Sequence, residues 1–354
     1  MIPKTLETEF DSPAQFFKAI VGREEIELLN NLEIRRFFKD KTVVITGAGG
    51  TIGSAVARRL AKADVSSTYY LDNDESALHG LALSLSDRAA SHSEKCFVGD
   101  VKDVVGIRNI FDLIKPDVVI HAAALKHLVV LERFPREGFN TNVYGTLNVL
   151  IAAKESGANH FLNVSTDKAA LPSSILGKTK LIAEILTGEM TNESMQASSV
   201  RFGNVFASRG SVIETFMHQL QNDLPVTITD PDVTRFFMSH NEAANLILAT
   251  CMMDQSAVYV QEMGMRVKIV DLVQRLANSI GKKPKIDFIG LENGEKLHED
   301  LYDVEYSQTQ NPSIVKLNPA KKHDIIPFLS NSIPPATNQE AKDILDRILS
   351  LRLP

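Results

Sequence analysis

The sequence predicts an α/β fold, a doubly wound parallel sheet followed by a smaller C-terminal lobe, and three observations carry that prediction. Short apolar runs alternate with longer amphipathic ones from Lys41 to about Phe202. A glycine-rich turn joins the first apolar run to the first amphipathic one. After Gly203 the alternation gives way to shorter elements separated by Pro and Asp, as in NDLPVTITDPDVTRFF. Strand–helix alternation at this spacing produces a parallel sheet covered on both faces.

In chain order, residues 1–40 read as a helical extension, with amphipathic helices in PAQFFKAIV and EIELLNNLEIRRFFKD. The buried strands are TVVIT, STYYLD, KCFVG, DVVIHA, HFLNVS and ASSVRF. Between them IGSAVARRLAK, ESALHGLALSLS, VVGIRNIFDLI, GFNTNVYGTLNVLIAAKES and LGKTKLIAEILTGEM read as helices, because their apolar residues recur at helical spacing. Residues 41–202 are thus expected to form one domain, and 203–354 a second lobe with a tail that ends in a helix. No internal repeat or low-complexity tract is present.

Composition narrows the function classes. The chain has 354 residues, 44% hydrophobic and 23% charged, enough for a sizeable core. A formal net charge of -6 leaves no basic footprint, so nucleic acid is not an expected partner. Cys96 and Cys251 lie far apart without metal-ligand spacing; they read as buried free thiols suited to a reducing cytoplasm, and no metal is expected. The start, MIPKTLETEFDSPAQFF, is polar and acidic, unlike a signal peptide. Apolar runs such as NLILATCMM fall well short of the ~20 residues a membrane helix needs. A soluble cytoplasmic protein without membrane insertion is expected.

The stretch TVVITGAGGTIGSAVARRL sets Gly47, Gly50 and Gly53 between a strand and a helix. Gly47 permits the tight turn, Gly50 a close approach of a pyrophosphate, and Gly53 close helix–strand packing. Thr51 and Ile52 open the helix whose free N–H groups would meet the phosphates. Asp72 follows Gly53 by 19 positions and ends the second strand, where a carboxylate binds adenosine ribose hydroxyls. This is a Rossmann-like dinucleotide site. No Arg or Lys follows in DNDES to take a 2′-phosphate, so NAD is favoured over NADP. Asp100 and Val101 follow the third strand, at the adenine. Ala122, Ala123 and Ala124 follow the fourth and are small enough for close backbone approach to the cofactor.

These residues resemble the extended short-chain dehydrogenase/reductases. More narrowly, the chain is similar to the nucleotide-sugar 4,6-dehydratases of bacterial polysaccharide biosynthesis, which act on UDP-N-acetylglucosamine. The stretches that match are TGAGGTIGS, HAAALKHLVVLE, TNVYGT, STDKA, RFGNVFASRGSVIETF, PVTITDPDVTRFFM, VQEMGMRVKIVDLV and GLENGEKLHEDL. They run in the family's order from about Phe17 to Leu301. VGREEI resembles the lead-in of the family's large, membrane-anchored members, so the large-class catalytic core without its anchor is expected. One departure stands out. Where short members carry Tyr four residues before Lys180, this chain has Leu176; large members carry Met there, and Thr-Asp-Lys takes over the proton chemistry.

The resemblance implies site roles. Thr166 hydrogen-bonds the sugar C4 oxygen, Asp167 is the general acid, Lys168 the general base, and Lys180 holds the nicotinamide ribose. Asn142 orients the active-site backbone beside the cofactor. Lys126, His127, Arg201, Asn204, Ser211, Val212 and Thr227 face the nucleotide sugar, Arg235 binds phosphate and Glu295 closes the nucleotide pocket. The implied reaction is NAD-dependent 4,6-dehydration to a 4-keto-6-deoxy sugar. A C5 epimerase, a 5,6-dehydratase and a catalytically inactive NAD-binding sensor stay open as alternatives. A homo-oligomer built on a dimer is expected, because the helices NTNVYGTLNVLIAAKE and LGKTKLIAEILTGE hold more apolar surface than the sheet needs.

Overall fold

A computed structural model describes residues 10–85, 94–317 and 325–350. The six expected strands all form: β1 (Val43–Thr46), β2 (Thr68–Asp72), β3 (Cys96–Val98), β4 (Val118–His121), β5 (His160–Val164) and β6 (Gln196–Arg201). Three more join them, β7 (Val258–Gln261), β8 (Tyr306–Gln308) and β9 (Ile314–Leu317). The sheet order is β8-β9-β7-β6-β5-β4-β1-β2-β3. The run from β7 to β3 is parallel, and β9 pairs antiparallel with both β7 and β8. The order reverses between β1 and β4, so their carboxyl ends open a crevice at a topological switch point.

The sheet crosses the expected division at Phe202/Gly203, since β7, β8 and β9 all come from beyond it. Such short strands near loops carry too little period for sequence reading. Helix His240–Cys251 likewise belongs with the sheet, packing on helix Thr51–Lys62. Its start is fixed by a capping box between Ser239 and Glu242. Beyond the sheet, Phe16, Phe17 and Ile20 of helix Pro13–Val21 share an apolar cluster with Phe216 and Leu276. The N-terminal extension is therefore part of the lobe's core. Helix Asn31–Phe38 instead sends Ile34 and Phe38 into the core of the sheet.

The other face of the sheet bears on the apolar surface from which an oligomer was expected. Helix Gly145–Glu155 exposes only Lys154 and Glu155, and helix Ile175–Met190 only Gly188. Helices Ile325–Ser330 and Asn338–Ser350 pack over helix Ile175–Met190. Ile325, Leu329, Leu345 and Ile348 share a cluster with Ile182, Leu186 and Met190. The surplus apolar surface is covered within one chain, so it gives no argument for a second copy. Among the described residues no helix is long and apolar enough to cross a membrane.

Candidate active site

The glycine turn is built as the dinucleotide expectation requires. Gly47 has φ +66°, and a Cβ there would lie 2.6 Å from the Ala123 nitrogen. A Cβ on Gly53 would stand 2.2 Å from the Gly47 oxygen, so only glycine lets the helix meet the turn. A Cβ on Gly50 would meet only the Gly47 oxygen, at 3.2 Å. The chain itself makes little demand for glycine at Gly50, which leaves its backbone open to an approaching ligand. No side chain caps the helix that begins at Thr51. An uncapped helix start beside an open backbone fits a pyrophosphate.

A cleft of ≈ 510 Å³ runs from this turn across the strand ends, lined by Gly47, Gly50, Asp72, Asp100, Val101, Ala122, Ala123 and Ala124 among others. Asp72 accepts from Gly49 N–H at 2.9 Å and Asp74 N–H at 3.0 Å, which fixes its carboxylate at the rim. The residues present fit a dinucleotide. Two features of this cleft escaped the sequence. Gly49 is a third glycine that packing requires, after Gly47 and Gly53, because a Cβ there would lie 2.5 Å from the Ala77 Cβ. Arg209 lines the same cleft, with Nη2 3.3 Å from Asp74 Oδ2. A cation does therefore stand near the adenosine end, although none follows in DNDES. It arrives on a loop held by Lys126 Nζ donating to the Arg209 carbonyl at 2.7 Å and by Arg209 N–H donating to Thr51 Oγ1 at 3.2 Å. His127 packs against Gly210 of that loop.

Behind the cleft, Asn142 sits in a π-helical turn, Phe139–Tyr144, and braces two elements. Its Oδ1 accepts from Leu125 N–H at 2.8 Å, and its Nδ2 donates to the Leu125 carbonyl at 3.0 Å and Thr179 Oγ1 at 3.1 Å. Thr179 precedes Lys180, so Asn142 ties the loop after β4 to the helix carrying that lysine. Lys180 is buried, and burial lowers its ammonium to about 8 against the opposing pull of Glu184. His121 is neutral, lowered to about 3 by burial and then by Lys180, and its ring bridges Thr46 Oγ1 at 2.8 Å and Thr146 Oγ1 at 3.0 Å. Leu176 is buried in the apolar cluster of this face. A Cβ on the next residue, Gly177, would lie 2.2 Å from the Lys168 carbonyl oxygen, so the helix start presses directly on the Thr-Asp-Lys turn.

Thr166, Asp167 and Lys168 follow β5 at the carboxyl edge of the sheet. Asp167 is fully buried, and its Oδ1 accepts from Thr166 Oγ1 at 2.9 Å and Lys168 Nζ at 3.1 Å. Lys168 Nζ also donates to Asn204 Oδ1 at 3.3 Å and lies 3.6 Å from Glu299 Oε1. Burial alone would lower the Lys168 ammonium, but Asp167 and Glu299 outweigh it, Arg235 opposing, and hold it above the ordinary lysine value. Two carboxylates therefore face the ammonium of Lys168, the residue that the resemblance makes the general base. Glu299 was missed because it lies in GEKLHEDL, far along the chain. Its neighbour segment is stapled to the site by Lys296 Nζ on the Ala170 carbonyl at 2.8 Å and by Thr234 N–H on the Leu297 carbonyl at 3.1 Å.

Two arginines expected at the substrate pair with protein carboxylates. Arg201 was expected to face the sugar diphosphate. It is buried, with Nε 2.8 Å from Glu184 Oε1, Nη2 2.7 Å from Glu184 Oε2 and Nη1 2.9 Å from Asp303 Oδ1. Its fork is filled by protein carboxylates, which makes it a tie between β6, the helix of Lys180 and the C-terminal segment. Arg235 and Glu295 are brought together, but as partners of each other, Nη2 to Oε1 at 2.6 Å. Ser211 precedes helix Val212–Gln221, which Val212 opens, and its Oγ is buried without a hydrogen-bond partner. Thr227 Oγ1 accepts from Gln219 Nε2 at 2.9 Å.

The chain's relatives agree with this architecture. Capsular polysaccharide biosynthesis protein CapD of Staphylococcus aureus is 39% identical over 289 residues, covering 80% of this chain and 48% of that protein. Probable polysaccharide biosynthesis protein EpsC of Bacillus subtilis is 38% identical over 290 residues, 80% of this chain and 48% of its own length. This chain thus spans about half the length of these two relatives. UDP-glucose 4-epimerase of Rickettsia felis is 35% identical over 277 residues, 76% of this chain and 79% of that one. Among solved structures, Pen from Bacillus thuringiensis superposes with a TM-score of 0.72 at 26% identity, over 90% of this chain and 100% of that one. Thermus thermophilus UDP-glucose 4-epimerase in complex with NAD gives 0.63 at 19% identity, over 87% and 99%, a likeness of fold. The profile of polysaccharide biosynthesis proteins matches residues 43–319, and the chain belongs to that family.

Proposed function

We propose that the protein is a nucleotide-sugar dehydratase: it removes water across C5 and C6 of a nucleoside-diphosphate hexose, most simply UDP-N-acetylglucosamine, giving a 4-keto-6-deoxy sugar for glycan synthesis. The observation that supports this most is a buried acid–base cluster, Asp167 with Lys168, beside a cleft fit for a dinucleotide. A protein that only binds a dinucleotide has no use for such a cluster. NAD, favoured over NADP by Asp72 at the rim, would supply a hydride acceptor that later returns the hydride, so no outside reductant is consumed. Glycines 47, 50 and 53 would hold its pyrophosphate, Asp72 its adenosine ribose, and Lys180 its nicotinamide ribose.

The chain's own residues then divide the work. Thr166 binds the C4 oxygen and orients it. Asp167 and Lys168 move protons at C5 and at the C6 hydroxyl, a task worth roughly 10²–10⁴-fold for a positioned group. Asn204 holds the Lys168 ammonium in register. Asn142 keeps Lys180 and the Leu125 loop in one geometry. Leu176 fills apolar space and transfers nothing. Lys126, His127 and Ser211 face the sugar from the loop side.

A 4-epimerase is the second reading, favoured by the Rickettsia relative. Incubating the purified protein with UDP-, GDP- and dTDP-hexoses separates the two by product mass. The dehydratase reading requires loss of 18 mass units from one of them, with UDP-N-acetylglucosamine foremost. Conversion at unchanged mass supports the epimerase instead, and no conversion of any supports the inactive sensor.

A further inference from the structure

We propose that Arg209 is a cofactor-retaining residue: its side chain straps the mouth of the dinucleotide cleft, presents a positive charge to the anionic dinucleotide, and sets how slowly that dinucleotide leaves. The inference rests on the reading that the cleft holds a dinucleotide and is independent of which sugar reaction follows.

Arg209 touches both banks of the cleft that it lines. On the phosphate bank its N–H donates to Thr51 Oγ1 at 3.2 Å, at the first residue of the uncapped helix. On the adenosine bank its Nη2 donates to Asp74 Oδ2 at 3.3 Å, two residues beyond Asp72. Asp74 is itself fixed, because its Oδ1 accepts from Ala77 N–H at 3.0 Å at the start of helix Glu75–Leu85. A dinucleotide that runs from the glycine turn to Asp72 passes between these two anchors, under the side chain that joins them. An arginine has five N–H donors in a planar fork and no acceptor. Among the described residues Asp74 is the one protein group that the guanidinium holds, so most of the fork is left for the oxygens of a ligand.

The loop that carries Arg209 is built rather than slack. Ala207 and Gly210 both hold left-handed backbone, with φ +51° and +69°. Ser211 N–H closes the turn on the Ser208 carbonyl at 2.9 Å, and Gly210 N–H donates to Glu214 Oε2 at 2.7 Å. Lys126 Nζ holds the Arg209 carbonyl, and a Cβ on Gly210 would stand 2.7 Å from His127 Cε1. At the root of the loop Phe206 packs on Phe16 and Phe17 of the N-terminal extension, with ring centroids 5.2 and 5.6 Å apart. The backbone of the arginine is thus placed before a ligand arrives, which spares the cost of ordering the loop on binding. The side chain is the moving part. It and Asp74 are 75% and 41% exposed, so their pair is worth little alone and is screened by salt. Such a contact opens to admit a dinucleotide and closes over it.

The test is the rate at which the full chain releases NADH, read by its fluorescence after loading with NADH and chasing with excess NAD. Arg209→Gln removes the charge at an exposed position, and release should quicken by roughly 10–100-fold, the worth of one charge-assisted hydrogen bond. Arg209→Lys keeps the charge without the fork and should restore part of the retention. Raising salt from about 50 to 500 mM shortens the reach of charge, so it should speed release from the wild type and do so much less in Arg209→Gln. A wild type that holds NADH while Arg209→Gln releases it equally slowly overturns the proposal and leaves the dinucleotide reading standing. Should that variant not fold, release from the wild type that ignores salt overturns it equally. A wild type that binds no dinucleotide overturns both. Faster release from Arg209→Gln in a protein that dehydrates no sugar supports the strap and removes the dehydratase reading.

Discussion

The dinucleotide cleft draws most of its lining from the ends of four strands that follow one another in the chain, β1 to β4, with Arg209 added from a later loop, whereas the cluster at Lys168 takes Glu299 from 131 residues further on. The first is open and made largely of backbone, with glycines clearing space for a ligand. The second is closed and made of charged side chains that pair with one another. An open, backbone-built site is set by steric rules that act locally. A closed, charged one needs every partner present, because a buried charge without its counterpart is costly. Substitutions in the two regions should therefore differ in what they break.

The largest effect is expected in the closed region. Asp167→Asn preserves size, so it should fold and keep its dinucleotide while losing roughly 10²–10⁴-fold in turnover. Steady-state rates, with dinucleotide content by absorbance of the denatured protein, check this. Near-normal turnover would move the chemistry to Lys126 or His127. Next comes Arg201→Met, which strands Glu184 and Asp303 in the interior. Removing one partner of a buried ion pair costs about 3–5 kcal/mol, so denaturant unfolding should show a loss of that order.

The open region should respond more mildly and in a different observable. Gly47→Ala meets both a left-handed backbone and the Ala123 nitrogen, and should cost about 1–3 kcal/mol along with dinucleotide affinity. Calorimetry of NAD binding reports the second loss. The smallest effect concerns Lys180. Its ammonium is lowered to about 8 by burial, so the folded state releases its proton before the unfolded chain does. Between about pH 8 and the ordinary lysine value the unfolded state binds more protons, and the contribution of this group to stability rises with pH. The wild type should gain on Lys180→Met as pH climbs through that window, read as a difference in thermal midpoints.

The same contrast explains how much the sequence told. β1 to β6 were legible, because buried parallel strands are continuous apolar runs and each ends at a turn with its own chemistry. Gly47, Gly53 and Asp72 were legible for the same local reason. Gly49 and Gly177 were not, since their need comes from Ala77 and from the Lys168 carbonyl, contacts that only folding creates. Arg201 and Arg235 were visible as cations where phosphate ligands were expected, yet their partners Glu184, Asp303 and Glu295 decide where the guanidinium points. Arg209 was hidden from the adenosine end by sequence distance. The apolar face read as a dimer surface is covered by Ile325–Ser330 and Asn338–Ser350, a choice of cover that apolar patterning does not distinguish from a second chain.

The central claim, that the hydrogen leaving C4 returns to C6 while C5 loses its proton, has one direct measurement. UDP-N-acetylglucosamine deuterated at C4, or whichever hexose the screen selects, is turned over in ordinary water and the product is read by NMR. A dehydratase delivers the deuterium to the C6 methyl group of a 4-keto sugar and leaves C5 bearing hydrogen from solvent. Deuterium found back at C4 of an inverted sugar, with C6 still hydroxylated, would contradict the account and identify an epimerase.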